Sequence, residues 1–381
     1  MRTADVVIIG GGCMGASVAY HLTRRGVTNV VLVERDAQLG TGSTGRNAGG
    51  VRHQFSHEAN IQLSMESIRV FERFADEVGY AADLHQDGYL FLLTSQTSVD
   101  TFKSNVALQR RMGIDVEWLD ASSAAALAPG LDTDGVIAAT FCRKDGIADP
   151  NGVTMGFARA AQSHGATILR DTEVTGVTID AGRITGVETS NGPIAAPVVV
   201  NAAGPHAREI GRMAGVDVPV DPYRRHIFIA QANDGVPRNR IMVIDFESTF
   251  YFHREGAGVL FGMGDKDETP TFDQTVQWDF LPKVVEVAAR RLPALADASI
   301  SHAWAGLYEM TPDANPLIGA EPRVEGLFHI TGFSGHGFQH SPAAGRILAD
   351  LVSGTDAKFD LTPFAPGRFA SGASSGERYV V

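Results

Sequence analysis

The chain opens on ADVVIIGGGCMGASVAYHLTRRG, a stretch that leaves little freedom about what can be built around it. Asp5-Val6-Val7-Ile8-Ile9 is an apolar run stopped by Gly10, the pattern of a strand buried on both faces of a parallel sheet. Ala16 to Arg25 reads as a helix closed by Gly26, and Asn29 to Glu34 as a second buried strand. Strand, helix and strand within about 30 residues make a βαβ unit with a right-handed crossover. Between the first strand and the helix, Gly10-Gly11-Gly12-Cys13-Met14-Gly15 carries the spacing G-x-G-x-x-G. In a chain with 42 glycines that spacing alone decides nothing. Set in a βαβ unit, with the acidic Glu34 19 positions beyond Gly15, it marks a dinucleotide site. Gly10 permits the tight turn, Gly12 lets the backbone approach a pyrophosphate, and Gly15 lets the helix pack close to the strand. The helix N-terminus, at Cys13 and Met14, offers N–H groups and a positive dipole end to the phosphates. Glu34, followed by Arg35, is placed to accept the ribose hydroxyls of the adenosine half.

The 381 residues are enough for two interlocked domains or one large core. A formal charge of -12 argues against a polyanion-binding surface, so no nucleic-acid partner is expected. The N-terminal apolar run follows Asp5 and stops at glycines, short of a signal peptide, and no run has the length of a membrane span. Cys13 and Cys142 form neither a disulfide framework nor a metal-ligand spacing. A reducing, cytoplasmic setting and no metal site are the expectation.

Further along, Ile61, Met65, Ile68, Phe71, Phe74 and Val78 recur at spacings of three and four, predicting an amphipathic helix from His57 to Val78 ended by Gly79. Residues 86–149 mix short strands with a polar helix near 97–112, and Asp149-Pro150-Asn151 marks a boundary. A helix over 153–163 and strands at Thr167–Leu169, Glu173–Ile179 and Arg183–Thr189 follow. Ser190-Asn191-Gly192 predicts a hairpin, since Asn-Gly accepts positive φ at both turn positions. Pro197 to Gly204 reads as another buried strand, 218–264 as β-rich, and 276–292 as helical. A strand at 327–331 leads into GFSGHGFQHS, residues Gly332 to Ser341, whose aromatic and imidazole groups are foreign to a flexible linker.

The glycine spacing does not separate FAD from NAD. A second glycine-rich loop, Gly42-Ser43-Thr44-Gly45-Arg46-Asn47-Ala48-Gly49-Gly50-Val51-Arg52, lies close enough to run along the rest of a dinucleotide toward its reactive ring. With this loop, the N-terminal fingerprint, Val218 to Arg224, Tyr308 to Asp313 and GFSGHGFQHS, the chain resembles the D-amino acid oxidase superfamily over essentially its whole length. Within it the likeness is to the branch of sarcosine oxidase, glycine oxidase and dimethylglycine dehydrogenase. The resemblance implies a mixed α/β (α+β) fold of the glutathione-reductase-like type. A Rossmann-like FAD-binding domain would take residues 1–82, 150–215 and 315–365, with a β-rich substrate domain interleaved as 83–149 and 216–314 and a C-terminal tail at 366–381, whose last stretch SGASSGERYVV is expected to fray. It implies FAD as cofactor, with Val174, Ala203, Gly204 and Gly306 also against it. At the far end Gly332, Phe333, Gly335, His336, Gly337, Phe338 and Gln339 would close over the flavin, backbone N–H groups toward its pyrimidine edge. The following helix would aim its positive end at the reduced ring. Sarcosine oxidases tether the flavin to a cysteine two positions before the tyrosine matched by Tyr308, where this chain has Gly306. The dimethylglycine dehydrogenase branch uses a histidine where this chain has Arg46, so FAD is expected to be non-covalent.

The resemblance also implies a small amine or amino-acid substrate, oxidised at its C–N bond by hydride transfer to flavin N5, with the imine then hydrolysed. Arg52 aligns with the family's carboxylate-binding arginine, and a guanidinium fork holds both oxygens at once. Tyr251 and Tyr308 match pocket aromatics whose hydroxyls reach the carboxylate, and His336 packs beside the ring, as a family histidine matched by His53 also does. No general base is assigned. Two departures bear on activity. The lysine that helps oxygen react with reduced flavin in sarcosine oxidase falls at Leu260, which favours a dehydrogenase. The family's second carboxylate-binding lysine is replaced by Gln339, and one cation fewer implies a different or larger amino acid than sarcosine, or weaker carboxylate binding. The expected substrate is a secondary or N-methylated amino acid, sarcosine-, dimethylglycine- or proline-like. Electrons would pass to O2, a quinone, an electron-transfer flavoprotein or a partner subunit. Two other readings stay open: a low-turnover flavin-binding subunit or assembly factor, and a 2-hydroxy-acid dehydrogenase of the same superfamily.

Overall fold

The side chains of the strand Val6–Ile9 alternate between two faces, and both faces are covered. In the computed structural model, which describes residues 2–231, 235–370 and 376–377, Val6 and Ile8 enter a core with the helices Cys13–Arg24, Pro150–Ser163 and Gly337–Val352. Val7 and Ile9 enter a second core on the opposite side. The neighbouring strand Val30–Val33 divides in the same way.

These strands belong to a six-stranded sheet ordered Leu317–Ala320, Leu327–Thr331, Val198–Asn201, Val6–Ile9, Val30–Val33, Thr167–Leu169, parallel except for the first. Its second face is closed by a four-stranded sheet ordered Arg2–Thr3, Ile194–Ala195, Arg183–Thr189, Val174–Asp180. Val174, Ile184, Val187 and Ile194 fill the space between. This is a Rossmann-like unit of helices, parallel sheet and small sheet.

An eight-stranded sheet makes up the rest, ordered Ile300–Met310, Asp221–Gln231, Gly258–Met263, Phe250–Glu255, Met242–Asp245, Tyr89–Leu93, Ala138–Cys142, Glu117–Leu119. On one face Phe228, Phe250, Phe252 and Phe261 pack against Val284 and Ala288 of the helix Leu281–Arg291. Strand alternation turns Arg225, Ile227, Met242, Ile244 and Tyr251 to the other face, where they wall a cavity. The fold is therefore mixed α/β, a Rossmann-like part joined to a β-rich part. No helix among the described residues is long and apolar enough to cross a membrane.

Several local expectations change. The first helix begins at Cys13, launched from an extended Gly12, and the expected single helix at 57–78 breaks at Arg73 into Glu58–Glu72 and Phe74–Val78. Asp149 caps the helix Pro150–Ser163, its side chain accepting from the Asn151 N–H with proline in the first turn. At Ser190-Asn191-Gly192 only Gly192 has positive φ. The turn closes through the Gly192 N–H on the Thr189 carbonyl (3.0 Å), and Asp171 and Thr172 hold the Asn191 amide. The C-terminal tail is docked at Arg368 and, within the stretch expected to fray, at Glu377. Arg368 is buried against Asp313 (2.8 Å), a carboxylate that needs a cation at that depth, and buried Glu377 accepts from Ser56, His57 and Asn60. Residues 371–375 and 378–381 of that tail lie outside the described residues.

Candidate active site

The carboxyl ends of the parallel strands open into a long cavity whose far wall is the eight-stranded sheet, the position where open α/β sheets bind ligands. At one end the glycines of the fingerprint act as their spacing predicts. Gly10 has φ +111°, and a side chain there would enter the Ala202 carbonyl. A side chain at Gly15 would enter the Gly10 carbonyl, so the helix can lie this close to the strand only with glycine. Glu34 lines the cavity with both oxygens engaged: Oε2 accepts the Gly11 N–H (2.7 Å) and Oε1 the Asp36 N–H (2.9 Å). The carboxylate thus orients the turn as well as facing a ribose. One expected phosphate donor is already used, since the Cys13 N–H donates to Thr44 Oγ1 (3.2 Å). Burial pushes the Cys13 thiol up to about 11, so it stays protonated.

The second glycine-rich loop is stitched to the strand Ile300–Met310. Ser43 Oγ donates to the Leu307 carbonyl (2.6 Å), Arg46 to the Ala305 carbonyl (2.9 Å), and the Trp304 indole to the Arg46 carbonyl (3.0 Å). Asn47 folds the loop by accepting the Gly49 N–H (2.6 Å). Gly306 faces Arg46, and a Cβ there would lie 2.9 Å from the arginine's Cβ. Arg35, Ser43, Thr44, Arg46, Asn47, Ala48, Gly50, Val174, Ala203, Gly204 and Gly306 all line the cavity, with Gly10, Gly12, Cys13, Met14 and Glu34.

At the other end stand Arg52, Tyr251, Tyr308, His336 and Gln339. The Arg52 guanidinium lies 3.9 Å from the centre of the Phe55 ring and donates to the Gln54 carbonyl, while its backbone N–H donates to Gln339 Oε1 (2.7 Å). His336 is buried, edge-on to Phe55, and neither ring nitrogen has a hydrogen-bond partner among the described residues. Burial, then the charges of His340 and Arg52, hold its pKa well below the ordinary histidine value, so the imidazole is neutral. Burial raises the phenols of Tyr251 and Tyr308 above the usual tyrosine value, and they too stay neutral.

Some expected contacts fall behind the cavity wall. Gly15, Gly49, Val51, Gly332 and Phe333 do not line it. Gly49 carries a φ of +74° against the Ala148 carbonyl, and Val51 and Phe333 point into the core. The backbone of Gly332 and Phe333 faces the carboxyl of Glu309 and pulls its pKa down against burial, and that carboxyl accepts from Thr331 Oγ1 (3.0 Å). The turn therefore presents Ser334 to Gln339 to a ligand, with the helix N-terminus at Gly337. His53 is likewise turned away, its Nδ1 2.7 Å from buried Asp145. His53, Cys142 and Asp145 bring candidate metal-ligand atoms within 4.8 Å of one another. Burial and Asp145 push the Cys142 thiol up, however, and a protonated thiol is a poor ligand.

Among the cavity residues the sequence reading did not single out as site residues are Tyr89, Arg225 and Glu309. Burial raises the Glu309 carboxyl above the usual range, against the pull of its hydrogen bonds. Tyr89 opens an expected short strand, Arg225 sits in a stretch that read only as β-rich, and the signal that would have found Arg225 is alternation from Arg224.

The donor set fits a flavin dinucleotide. Gly10 to Gly12, Glu34 and the helix N-terminus at Cys13 would hold one end, and a neutral His336, its ring nitrogens without a partner among the described residues, lies beside a second helix N-terminus at the other. Fold and site together define a flavoprotein oxidoreductase. The model of the FAD dependent oxidoreductase family (DAO) matches residues 5–351. The crystal structure of L-proline dehydrogenase from P. horikoshii superposes with a TM-score of 0.91 at 36% identity, covering 98% of this chain and 100% of its own. FAD-dependent oxidoreductase domain-containing protein 1 of Xenopus laevis is 32% identical over 99% of this chain and 85% of its own length. Human sarcosine dehydrogenase is 29% identical over 99% of this chain, which spans only 43% of that enzyme. The chain belongs to the FAD dependent oxidoreductase (DAO) family and is an FAD-dependent oxidoreductase. Its FAD is non-covalent, since Gly306 and Arg46 offer no tether at the two positions where the resembling enzymes carry one.

Proposed function

We propose that this enzyme oxidises the C–N bond of a small secondary or N-substituted amino acid, proline- or sarcosine-like, and that it is a dehydrogenase. The observation that carries the reading is the grouping of Arg52 with neutral phenols and a neutral imidazole at the end of the cavity away from the fingerprint. Bound FAD supplies the two-electron acceptor for the hydride leaving the carbon next to nitrogen. Arg52 holds the substrate carboxylate. Its stacking on Phe55 and its bond to the Gln54 carbonyl fix the guanidinium plane before the substrate arrives, so little side-chain entropy is lost on binding. Gln339 brings no charge and steadies the Arg52 backbone.

Arg52 and Arg225 both line this end, and their field disfavours an ammonium. The substrate amine therefore gives up its proton on entry, and no dedicated base is required. Tyr89, Tyr251 and Tyr308 are buried donors that orient the carboxylate and exclude water. The dehydrogenase reading is supported by Leu260, which is buried in the strand Gly258–Met263 away from the cavity. The lining cations are Arg35, Arg46, Arg52 and Arg225, none of them a lysine. The similar proteins named as dehydrogenases of L-proline and sarcosine point the same way. Electrons would then leave to a quinone, an electron-transfer flavoprotein or a partner subunit.

Anaerobic bleaching of the flavin by a panel of sarcosine, dimethylglycine, proline, pipecolate, glycine, D-amino acids and 2-hydroxy acids tests the reading, followed by reoxidation with air or with a dye. Bleaching by secondary amino acids and faster reoxidation by dye are expected. Bleaching by 2-hydroxy acids alone would overturn the substrate class, and rapid reoxidation by air would overturn the dehydrogenase assignment.

A further inference from the structure

Two arginines stand side by side on the strand Asp221–Gln231, and alternation sends them to opposite faces. Arg224 is buried and neutralised by Glu268 (2.9 Å) and Asp273 (2.8 Å). Arg225 faces the cavity, and no carboxylate among the described residues forms an ion pair with it. One of its terminal nitrogens donates to the Arg224 carbonyl (2.9 Å), but its Nε is buried with no hydrogen-bond partner. A guanidinium held in this way leaves a charge and a donor unsatisfied until an anion arrives.

The surroundings say where that anion would lie. The Arg225 guanidinium sits 5.1 Å from the centre of the Tyr308 ring and beside Gly264, where the lack of a side chain leaves it room. Tyr308 lies in the fields of both Arg225 and Arg52, whereas Tyr89 feels Arg52 and Tyr251 feels Arg225. Across the sheet, Arg225 lies on the strand Asp221–Gln231 and the Arg52 guanidinium sits 5.6 Å from the centre of the Phe91 ring on the strand Tyr89–Leu93, with Tyr251 on the strand Phe250–Glu255 between them. A single α-carboxylate held at Arg52 leaves Arg225 unanswered.

We propose that Arg225 binds a second acidic group on the substrate, so that the preferred substrate is a dicarboxylic secondary amino acid, its second carboxylate on the side chain or on the nitrogen substituent. This rests on the reading that Arg52 holds the α-carboxylate. Tyr251 lines the cavity between the strands that carry the two anchors, and Tyr308 lies against Arg225.

Glutarate and pentanoate, which have the same chain length and differ by one acid group, are the probes. Each is titrated into the oxidised, FAD-loaded enzyme, with binding read by calorimetry and by the change in flavin absorbance. The wild type should bind glutarate roughly tenfold to a hundredfold more tightly, the value of one charge-assisted anchor. Arg225→Met should abolish that preference while leaving pentanoate binding and flavin content intact, and Arg225→Lys should restore part of it. Equal affinity for the two acids in the wild type would overturn the proposal while leaving the Arg52 reading standing. If Arg225→Met loses pentanoate and Arg52→Met does not, the Arg52 reading fails and Arg225 is the α-carboxylate anchor. Failure of the wild type to bind either acid would overturn both.

Discussion

Replacing Glu34 by glutamine preserves the shape of the side chain and removes one of its two acceptors. In the structure Oε2 takes the Gly11 N–H at 2.7 Å and Oε1 takes the Asp36 N–H at 2.9 Å, so both oxygens are committed before any ribose arrives. Glutamine sets an NH2 group against one of these N–H donors and leaves the other bond without charge assistance. A hydrogen bond to a charged group contributes about 1.5–3 kcal/mol net, and losing one corresponds to roughly a 10- to 150-fold rise in the FAD dissociation constant. The loss should fall on FAD binding because Gly11 and Asp36, whose N–H groups the carboxylate holds, both line the cavity. FAD titrated into stripped apoprotein, followed by quenching of flavin fluorescence, measures the constant, and thermal unfolding of the apoprotein is the control. Unchanged FAD affinity in Glu34→Gln would refute the reasoning. An equal loss of stability in the apoprotein would show that Glu34 supports the fold as a whole.

Arg52→Met should raise KM for the amino-acid substrate by roughly tenfold to a hundredfold, with a smaller effect on kcat, because a carboxylate anchor binds ground and transition states alike. Gly15→Ala should yield protein depleted of flavin, since the new methyl meets the Gly10 carbonyl and pushes the helix off the strand; a normal flavin-to-protein ratio would count against this. Arg368→Met should cost about 3–5 kcal/mol in denaturant unfolding by leaving Asp313 buried and unpaired. Acid should destabilise the protein through its buried histidines. Burial, with nearby arginine charge, holds His21 and His340 at about 3, below the unfolded value of 6.5, so only the unfolded chain takes up protons as pH falls. Stability is full above pH 6.5 and drops by up to about 2 kcal/mol per histidine between pH 6.5 and 5, measurable by urea titration at each pH. His21→Asn should flatten that slope.

Much of the cofactor end was legible because its constraints are local. A strand, a turn of glycines and a helix follow one another in the chain, so the conformation needed at Gly10 and the close approach at Gly15 are recorded in residue type at fixed spacing. Arg52, Tyr251 and Tyr308 were found through resemblance, and the structure brings all three to one end of the cavity. Gly332 and Phe333 were not legible in their actual role. They lie behind the cavity wall, their backbone toward Glu309, a residue from another strand whose carboxyl is held by Thr331. The docking of Arg368 and Glu377 was hidden for a similar reason, since their partners Asp313 and Asn60 are remote in sequence.

The sequence alone determined that a dinucleotide would lie on the first βα turn, because burial on both faces, a glycine turn and a helix start are each set within a few residues. Only the tertiary structure decided what faces the substrate. Residues 52, 89, 225, 251, 308 and 336 come from separate segments, and whether a strand residue meets the cavity or the core depends on which face is turned inward. Arg224 and Arg225 show this most plainly: adjacent and chemically identical, one is locked into ion pairs and the other left facing the site by a single step of the pleat.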